Sequence, residues 1–234
     1  MHALNRLFTL SSLSVLLVTI ERFSFTTKIL LQPYDFLRLH ELVQMVVIIL
    51  LTVIIPFLLL REITGNFETV RRKPGFWLLS LFIVGVYFYA TGNGVHEVSS
   101  FNFNQYCETQ NFDDSLCGGL FVNDYYTGNI LYFMGGALMV SSLLLFERLR
   151  PNQTFSRKDR GILLANAVVY AFAIFAYAAF DRVLVGMVYS VILTLISLYL
   201  FWPLRKKYLQ YPVITYTTLT YAIGTLAALI VRVL

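Results

Sequence analysis

The chain has 234 residues, of which 58% are hydrophobic and only 13% are charged, and its mean hydropathy is +0.70. Soluble domains carry about a quarter charged residues, so this composition excludes a water-soluble globular protein and indicates an integral membrane protein. The net charge of +5 sorts by membrane side instead of forming one basic patch, so nucleic acid is not expected as a partner.

Seven apolar segments predict membrane-spanning helices. They are Leu7–Ile20, Glu41–Leu60, Phe76–His96, Tyr126–Phe146, Ile162–Phe180, Val183–Trp202 and Pro212–Leu234. A helix needs about 20 residues to cross about 30 Å of hydrocarbon, and only the first segment falls short of that length. We therefore predict an all-α membrane bundle of seven helices that forms one polytopic domain over residues 1–234, or six helices if the first segment is cleaved or interfacial.

The first segment has two interpretations. Arg6 precedes an apolar core, as in a secretory signal peptide. No small-residue cleavage site follows it, since the next alanine after Ala3 is Ala90. The sequence therefore favours a retained signal-anchor helix over a cleaved signal peptide.

The basic residues predict the orientation of the chain in the membrane. Thirteen of the 18 Lys and Arg residues fall on segments that are cytoplasmic if the N-terminus is cytoplasmic. The predicted loop at 97–125 has no Lys or Arg and carries five acids: Glu97, Glu108, Asp113, Asp114 and Asp124. The positive-inside rule then places the N-terminus in the cytoplasm and the C-terminus outside, in the plasma membrane or another cellular membrane. The acidic loop is expected on the extracytoplasmic side.

The two cysteines, Cys107 and Cys117, both lie in this loop, ten residues apart. On an oxidising face of the membrane, a pair with this spacing predicts a structural disulfide. The alternative, a redox-active pair, is less favoured because the chain has no C-x-x-C motif.

Polar residues cluster where the third predicted span ends. On a helix, Tyr89, Asn93, His96 or Glu97, Ser100 and Asn104 recur every three or four residues and so share one face. The second span opens with His40 and Glu41, and the fourth opens with Asp124, Tyr125, Asn129 and Tyr132. Ionisable groups are expensive near hydrocarbon, so we expect these side chains to converge at one end of the bundle and to form a site.

The residue types indicate acid–base or metal chemistry at this site. We expect His96 to be the catalytic base or a metal ligand, and Glu97 and Asp124 to be its carboxylate partners. Asn93, Asn129, Tyr89 and Tyr132 are the candidate substrate-positioning residues. The candidate metal ligands are His96, His40, Glu97 and Asp124, which suit a divalent metal such as zinc. The leading hypothesis is a membrane-embedded enzyme, such as a hydrolase, that acts on a lipid or lipid-like substrate near the outer leaflet.

Other interpretations stay open at this point. His40 and His96 could ligate haem, although membrane cytochromes usually place such histidines within their spans. Gly92-Asn93-Gly94 could break the third helix, as in a carrier. The protein would then be non-catalytic: a small transporter, or an accessory or assembly subunit that binds a membrane protein partner. An interfacial helix end with an aromatic belt would also collect these residue types.

Overall fold

The computed structural model describes residues 2–107, 115–152 and 155–234, and these residues form seven long helices and no strand. We number the helices α1 (His2–Glu21), α2 (Leu39–Ile63), α3 (Lys73–Tyr106), α4 (Ser115–Leu149), α5 (Arg157–Phe180), α6 (Val185–Phe201) and α7 (Pro212–Val233). Each of α2 and α4 contains a π-helical turn, at Val43–Ile48 and Asn123–Gly128. Short 3₁₀ turns lie at Phe25–Lys28, Thr69–Arg71 and Trp202–Gln210.

All seven helices are long and apolar enough to cross a membrane, which confirms the predicted multi-pass membrane protein. Large apolar side chains cover the outside of the bundle; examples are Leu50, Phe57, Ile83, Phe172 and Leu226, which are all exposed. A surface of this kind is unstable in water and suits contact with lipid. The most buried of the seven helices is α7, which packs on α5 and α6.

Several helix boundaries differ from the sequence-based prediction. Helix α1 has 20 residues, because the helix already begins at His2. Helix α3 continues ten residues beyond His96, and α4 begins eleven residues before Tyr126. Most of the predicted loop at 97–125 is therefore helical. Its acids Glu108, Asp113 and Asp114 lie outside the described residues.

The predicted break at Gly92-Asn93-Gly94 is wrong, because α3 runs through these residues without interruption. Glycine lowers intrinsic helix stability by about 1 kcal/mol. In hydrocarbon, however, a broken helix leaves backbone groups without hydrogen bonds, which costs more. The glycines instead allow α3 and α4 to approach closely.

Four glycines form the crossing of α3 and α4. A Cβ on Gly92 would lie 2.1 Å from the backbone N of Tyr132, and one on Gly135 would lie 2.2 Å from the backbone N of Tyr89. The backbones can come this close only because the glycines have no side chain. Gly85 and Gly128 make similar contacts at the two ends of the same crossing.

The two ends of the bundle carry different polar groups. The His96 end holds the C-terminus of α1, the start of α2, the ends of α3, α5 and α7, and the starts of α4 and α6. There Arg232 of α7 donates hydrogen bonds to the carbonyl oxygens of Ala178 and Asp181 at 2.7 and 2.8 Å. The opposite end is called the Glu147 end.

At the Glu147 end, a buried carboxylate holds the start of α7. Glu147 has no exposed surface, and its two carboxylate oxygens accept the backbone N–H groups of Val213 and Ile214 at 2.9 and 2.7 Å. Asn152 donates a third hydrogen bond at 2.9 Å. The first N–H groups of a helix have no partner within the helix and carry partial positive charge, so an anion here satisfies and stabilises them.

The predicted disulfide between Cys107 and Cys117 is confirmed, with the two Sγ atoms 2.05 Å apart. The bond joins the residue that follows α3 to the first turn of α4. It therefore ties together the two helices that carry His96 and Asp124.

Candidate functional site

The structure brings His96 of α3 and Asp124 of α4 together, as the sequence analysis expects. The Nδ1 atom of His96 lies 2.8 Å from Oδ1 of Asp124 and 3.1 Å from the carbonyl oxygen of the same residue. The glycine crossing explains this approach. A Cβ on Gly128 would lie 2.7 Å from the backbone N of His96, so the backbones of α4 and α3 are in contact beside His96.

The geometry of this contact determines which ring nitrogen of the neutral imidazole carries the hydrogen. Only the carbonyl oxygen of Asp124 has the angles of a hydrogen bond with Nδ1, and Oδ1 receives no hydrogen bond from any residue that the structure describes. A carbonyl oxygen can only accept, so Nδ1 carries the hydrogen in the neutral ring. The lone pair then lies on Nε2, for which the described residues provide no hydrogen bond. The side chain of His96 is 21% exposed.

A carboxylate beside the ring favours the charged imidazolium. Asp124 is buried, and its Oδ1 is close enough to His96 for an ion pair. A base of this kind can take a proton at Nε2 while the carboxylate stabilises the positive charge that forms on the ring.

Glu97 and Asn93 lie on α3 one turn apart, and both are buried. Glu97 is 5% exposed, and its carboxylate has no hydrogen bond to any described residue. The charges that act on it belong to His96, Arg22, His40 and Glu41. Asn93 is 8% exposed, and its Oδ1 has no donor among the described residues. Both predicted site residues therefore present unsatisfied acceptors.

The second histidine of the predicted site belongs to a separate network. Nδ1 of His40 lies within ion-pair distance of Glu21, which is buried at the end of α1. Gln44 donates to the same oxygen of Glu21, Oε2, at 2.8 Å, and Thr26 donates to the other oxygen, Oε1. Glu41 beside His40 pairs instead with Arg38, whose Nε lies 2.9 Å from Oε1 of Glu41.

Sequence analysis did not place Glu21 and Gln44 in the site. Both carry a usable signal, because each is a polar residue beside or within a long apolar run. A polar side chain in such a position needs a polar partner on another helix.

The tyrosines predicted to position a substrate lie deeper in the bundle. Tyr89 and Tyr132 stack with ring centroids 4.4 Å apart, and their hydroxyl oxygens are 2.9 Å apart. Seven residues separate Tyr89 from His96, so the pair lies about 10 Å closer to the middle of the membrane. Asn129 donates to the carbonyl oxygen of Tyr125 at 3.1 Å and does not contact His96 through any described hydrogen bond.

The turn between α5 and α6 adds two charges to the His96 end. The guanidinium of Arg182 lies 5.5 Å from the ring centroid of Tyr125, which is a cation–π contact. Asp181 is half-buried, and its burial raises the pKa of its carboxyl group above the ordinary value. The charges that act on Asp181 include His96 and Arg22, so this turn belongs electrostatically to the same cluster.

Metal and haem ligation stay predictions. Within residues 2–107, 115–152 and 155–234, no three His, Cys, Asp or Glu side chains are grouped closely enough to hold a metal ion. His40 and His96 each face a different carboxylate, those of Glu21 and Asp124.

Comparison of the chain with protein-family models, with curated proteins and with solved structures finds no match.

Proposed function

We propose that this protein is a membrane-embedded enzyme that hydrolyses a lipid or lipid-like substrate near the extracytoplasmic leaflet, with His96 as its general base. The observation that supports this proposal is the pairing of Nδ1 of His96 with Asp124, which leaves Nε2 without a hydrogen bond to the described residues on a side chain that is 21% exposed. Asp124 orients the ring and stabilises the imidazolium. Glu97 lies beside His96 and completes the His–carboxylate cluster.

The proposed reaction is hydrolysis of an ester or amide. For an ester, Nε2 of His96 takes a proton from water while the water oxygen bonds to the carbonyl carbon. The imidazolium then gives this proton to the leaving oxygen as the carbon–oxygen bond breaks. The products are an acid and an alcohol, and the imidazole returns to its starting state. A positioned base of this kind contributes about 10²- to 10⁴-fold to the rate.

The proposal includes an orientation. The Glu147 end carries most of the basic residues, among them Arg61, Arg71, Arg72, Arg150 and Arg160. By the positive-inside rule this end is cytoplasmic, so the N-terminus is inside, the C-terminus is outside and the Cys107–Cys117 disulfide is extracytoplasmic. The His96 end then lies at the extracytoplasmic leaflet of the plasma membrane or another cellular membrane. Reporter fusions at the two termini test this orientation directly.

The function is tested with purified protein in lipid nanodiscs. The protein is incubated with a panel of lipid esters and amides, and the products are identified by mass spectrometry. We expect turnover of at least one substrate, and a loss of about 10²-fold or more in both His96→Gln and Asp124→Asn. His2→Gln is the matched histidine control and should keep wild-type activity.

Two outcomes would contradict the proposed enzyme. One is turnover that His96→Gln and Asp124→Asn leave unchanged, which would place the chemistry elsewhere. The other is the absence of turnover across the panel in a protein whose melting temperature shows that it is folded.

A small transporter is the second candidate, and one observation favours it. Hydroxyl groups pair in the interior of the bundle: Tyr189 with Tyr221 at 2.7 Å, and Ser12 with Tyr216 at 2.9 Å. Polar side chains buried inside a membrane bundle are typical of substrate or ion pathways. A pH-sensitive dye inside proteoliposomes distinguishes the candidates, since transport predicts a proton flux that Tyr189→Phe reduces, and hydrolysis needs no flux.

A further inference from the structure

The buried polar groups of Glu97 and Asn93 have an unusual feature in common. Glu97 is 5% exposed, and its carboxylate accepts no hydrogen bond from the described residues; the buried Oδ1 of Asn93 also lacks a donor among them. The two residues are four positions apart on α3, so their side chains lie on the same face of the helix within reach of one ligand atom. A buried acceptor without a donor costs free energy, and a buried carboxylate costs more than a neutral oxygen.

The other carboxylates near Glu97 have partners. Glu41 accepts from Arg38, and Glu21 accepts from Gln44 and Thr26. Glu97 is buried to a degree similar to Glu41 and Glu21, but the described residues do not provide its carboxylate with a donor. The unmatched pair of acceptors indicates a ligand that brings hydrogen-bond donors.

The surrounding sequence also favours a cation. Residues 97–125 contain five acids and no Lys or Arg. Negative charge concentrated beside a low-dielectric surface raises the local concentration of cations.

We propose that Glu97 and Asn93 bind the primary ammonium group of an amine-bearing ligand; if the proposed function holds, the substrate is an amine-headed lipid. A primary ammonium has three N–H donors and no acceptor, which matches the unpaired acceptor oxygens of the Glu97 carboxylate and Asn93. Its hydrogen bonds to a carboxylate are charge-assisted and stronger than neutral ones. A trimethylammonium group carries the same charge but has no N–H donor, so the site discriminates against it.

The first experiment measures lipid retention by native mass spectrometry. The protein is transferred from nanodiscs that contain equal amounts of four lipids with identical acyl chains: phosphatidylethanolamine and its N-monomethyl, N-dimethyl and N-trimethyl derivatives. In the wild type, we expect retention to fall with each methyl group added. The ethanolamine lipid should exceed the trimethyl lipid by about tenfold or more, as expected for the loss of charge-assisted hydrogen bonds.

The second experiment uses substitutions. Glu97→Gln keeps the size of the side chain and removes its charge, and Asn93→Leu removes the Oδ1 acceptor. Both substitutions should bring the ratio of retained ethanolamine lipid to retained trimethyl lipid close to one. Glu62→Gln, at an exposed position on α2, is the matched control and should keep the wild-type ratio. The melting temperature of each variant shows whether it is folded. The methylation series in the wild type does not depend on any variant.

Soluble ethanolamine distinguishes the two sources of a primary ammonium. If millimolar ethanolamine displaces the retained ethanolamine lipid, the site takes the ammonium group alone, and a soluble amine is an equally good ligand. If ethanolamine does not displace the lipid, binding also requires the acyl chains. Either result supports the ammonium site. Equal retention of all four lipids by the folded wild type would overturn it, and would indicate that Glu97 carries its own proton.

His96→Gln separates this inference from the proposed function. If this variant keeps the preference for the ethanolamine lipid and loses turnover, both proposals hold. If it keeps both the preference and the turnover, the ammonium site stands and the role of His96 is wrong. If the wild type shows no preference while His96→Gln loses turnover, the enzyme stands and the ammonium site is wrong.

Discussion

Replacing Glu147 with alanine gives the most direct test of how this bundle is held together. Glu147 lies on α4 and has no exposed surface, and its carboxylate accepts the N–H groups of Val213 and Ile214 at the start of α7. Alanine removes both acceptors at once. The two N–H groups are buried, since Val213 is 2% exposed and Ile214 is fully buried, so water cannot easily replace the lost oxygens.

The expected loss follows from the number of groups left without a partner. A buried donor without an acceptor costs about 1–3 kcal/mol. Two such donors give a loss of about 2–6 kcal/mol in the free energy of unfolding, before the lost hydrogen bond from Asn152 is counted. Glu147→Gln keeps one acceptor oxygen but turns an NH₂ group toward a backbone N–H. We therefore expect it to lose most of the same free energy.

Equilibrium unfolding in mixed micelles of dodecyl maltoside and SDS, followed by circular dichroism, measures this loss. Glu62→Ala is the matched control, because Glu62 is exposed on α2 and its side chain makes no hydrogen bond or ion pair with the described residues. It should change the free energy of unfolding by less than about 0.5 kcal/mol. A loss in Glu147→Ala no larger than in Glu62→Ala would refute the reasoning, because it would mean that the carboxylate does not hold the start of α7.

Three further predictions concern the helix crossing, the disulfide and the turn between α5 and α6. Gly92→Ala forces a methyl group against the backbone of α4 and should destabilise the protein by about 1–3 kcal/mol, whereas Gly94→Ala, which has open space around it, should be neutral in the same unfolding assay. Replacing Cys107 and Cys117 with serine opens a loop of ten residues and should lower the free energy of unfolding by about 2–3 kcal/mol, with no further loss on adding a reductant. Burial raises the pKa of the Asp181 carboxyl group above its ordinary value of about 3.8, so the folded state binds the proton of this group more tightly than the unfolded state does. The free energy of unfolding should therefore fall as the pH rises from about 3.8 through the raised pKa. Asp181→Asn should abolish this fall; melting curves that keep the same pH dependence in the variant would contradict it.

Much of the candidate site could be predicted from the sequence. The face that carries Asn93 and Glu97 follows from helical spacing, since positions four apart lie above one another on any α-helix. The link from His96 to Asp124 follows from the order of the elements, because the ends of two consecutive helices meet where a short connection joins them. The structure confirms this pairing, as it confirms the disulfide that closes the connection.

The rest depends on contacts between residues that are distant in the sequence. Glu21 and Gln44 join His40 only because α1 packs beside α2, and nothing local to either residue specifies that neighbour. The helical extension beyond His96 was missed for a related reason. Hydropathy marks where hydrocarbon ends, whereas the helix ends where its backbone hydrogen bonds end, at Tyr106.

Composition and hydropathy by themselves determined that the chain is a multi-pass membrane protein with seven helical spans, because a backbone in hydrocarbon must satisfy its own hydrogen bonds and a helix needs a fixed length of apolar sequence to cross it. Only the tertiary structure decided which polar groups are satisfied. Glu147 and Glu97 are both glutamates on apolar helices, but Glu147 meets the N–H groups of α7 and Glu97 meets no donor among the described residues. The physical reason is that hydrogen bonding depends on distances of about 3 Å between atoms, and the packing of the helices sets those distances.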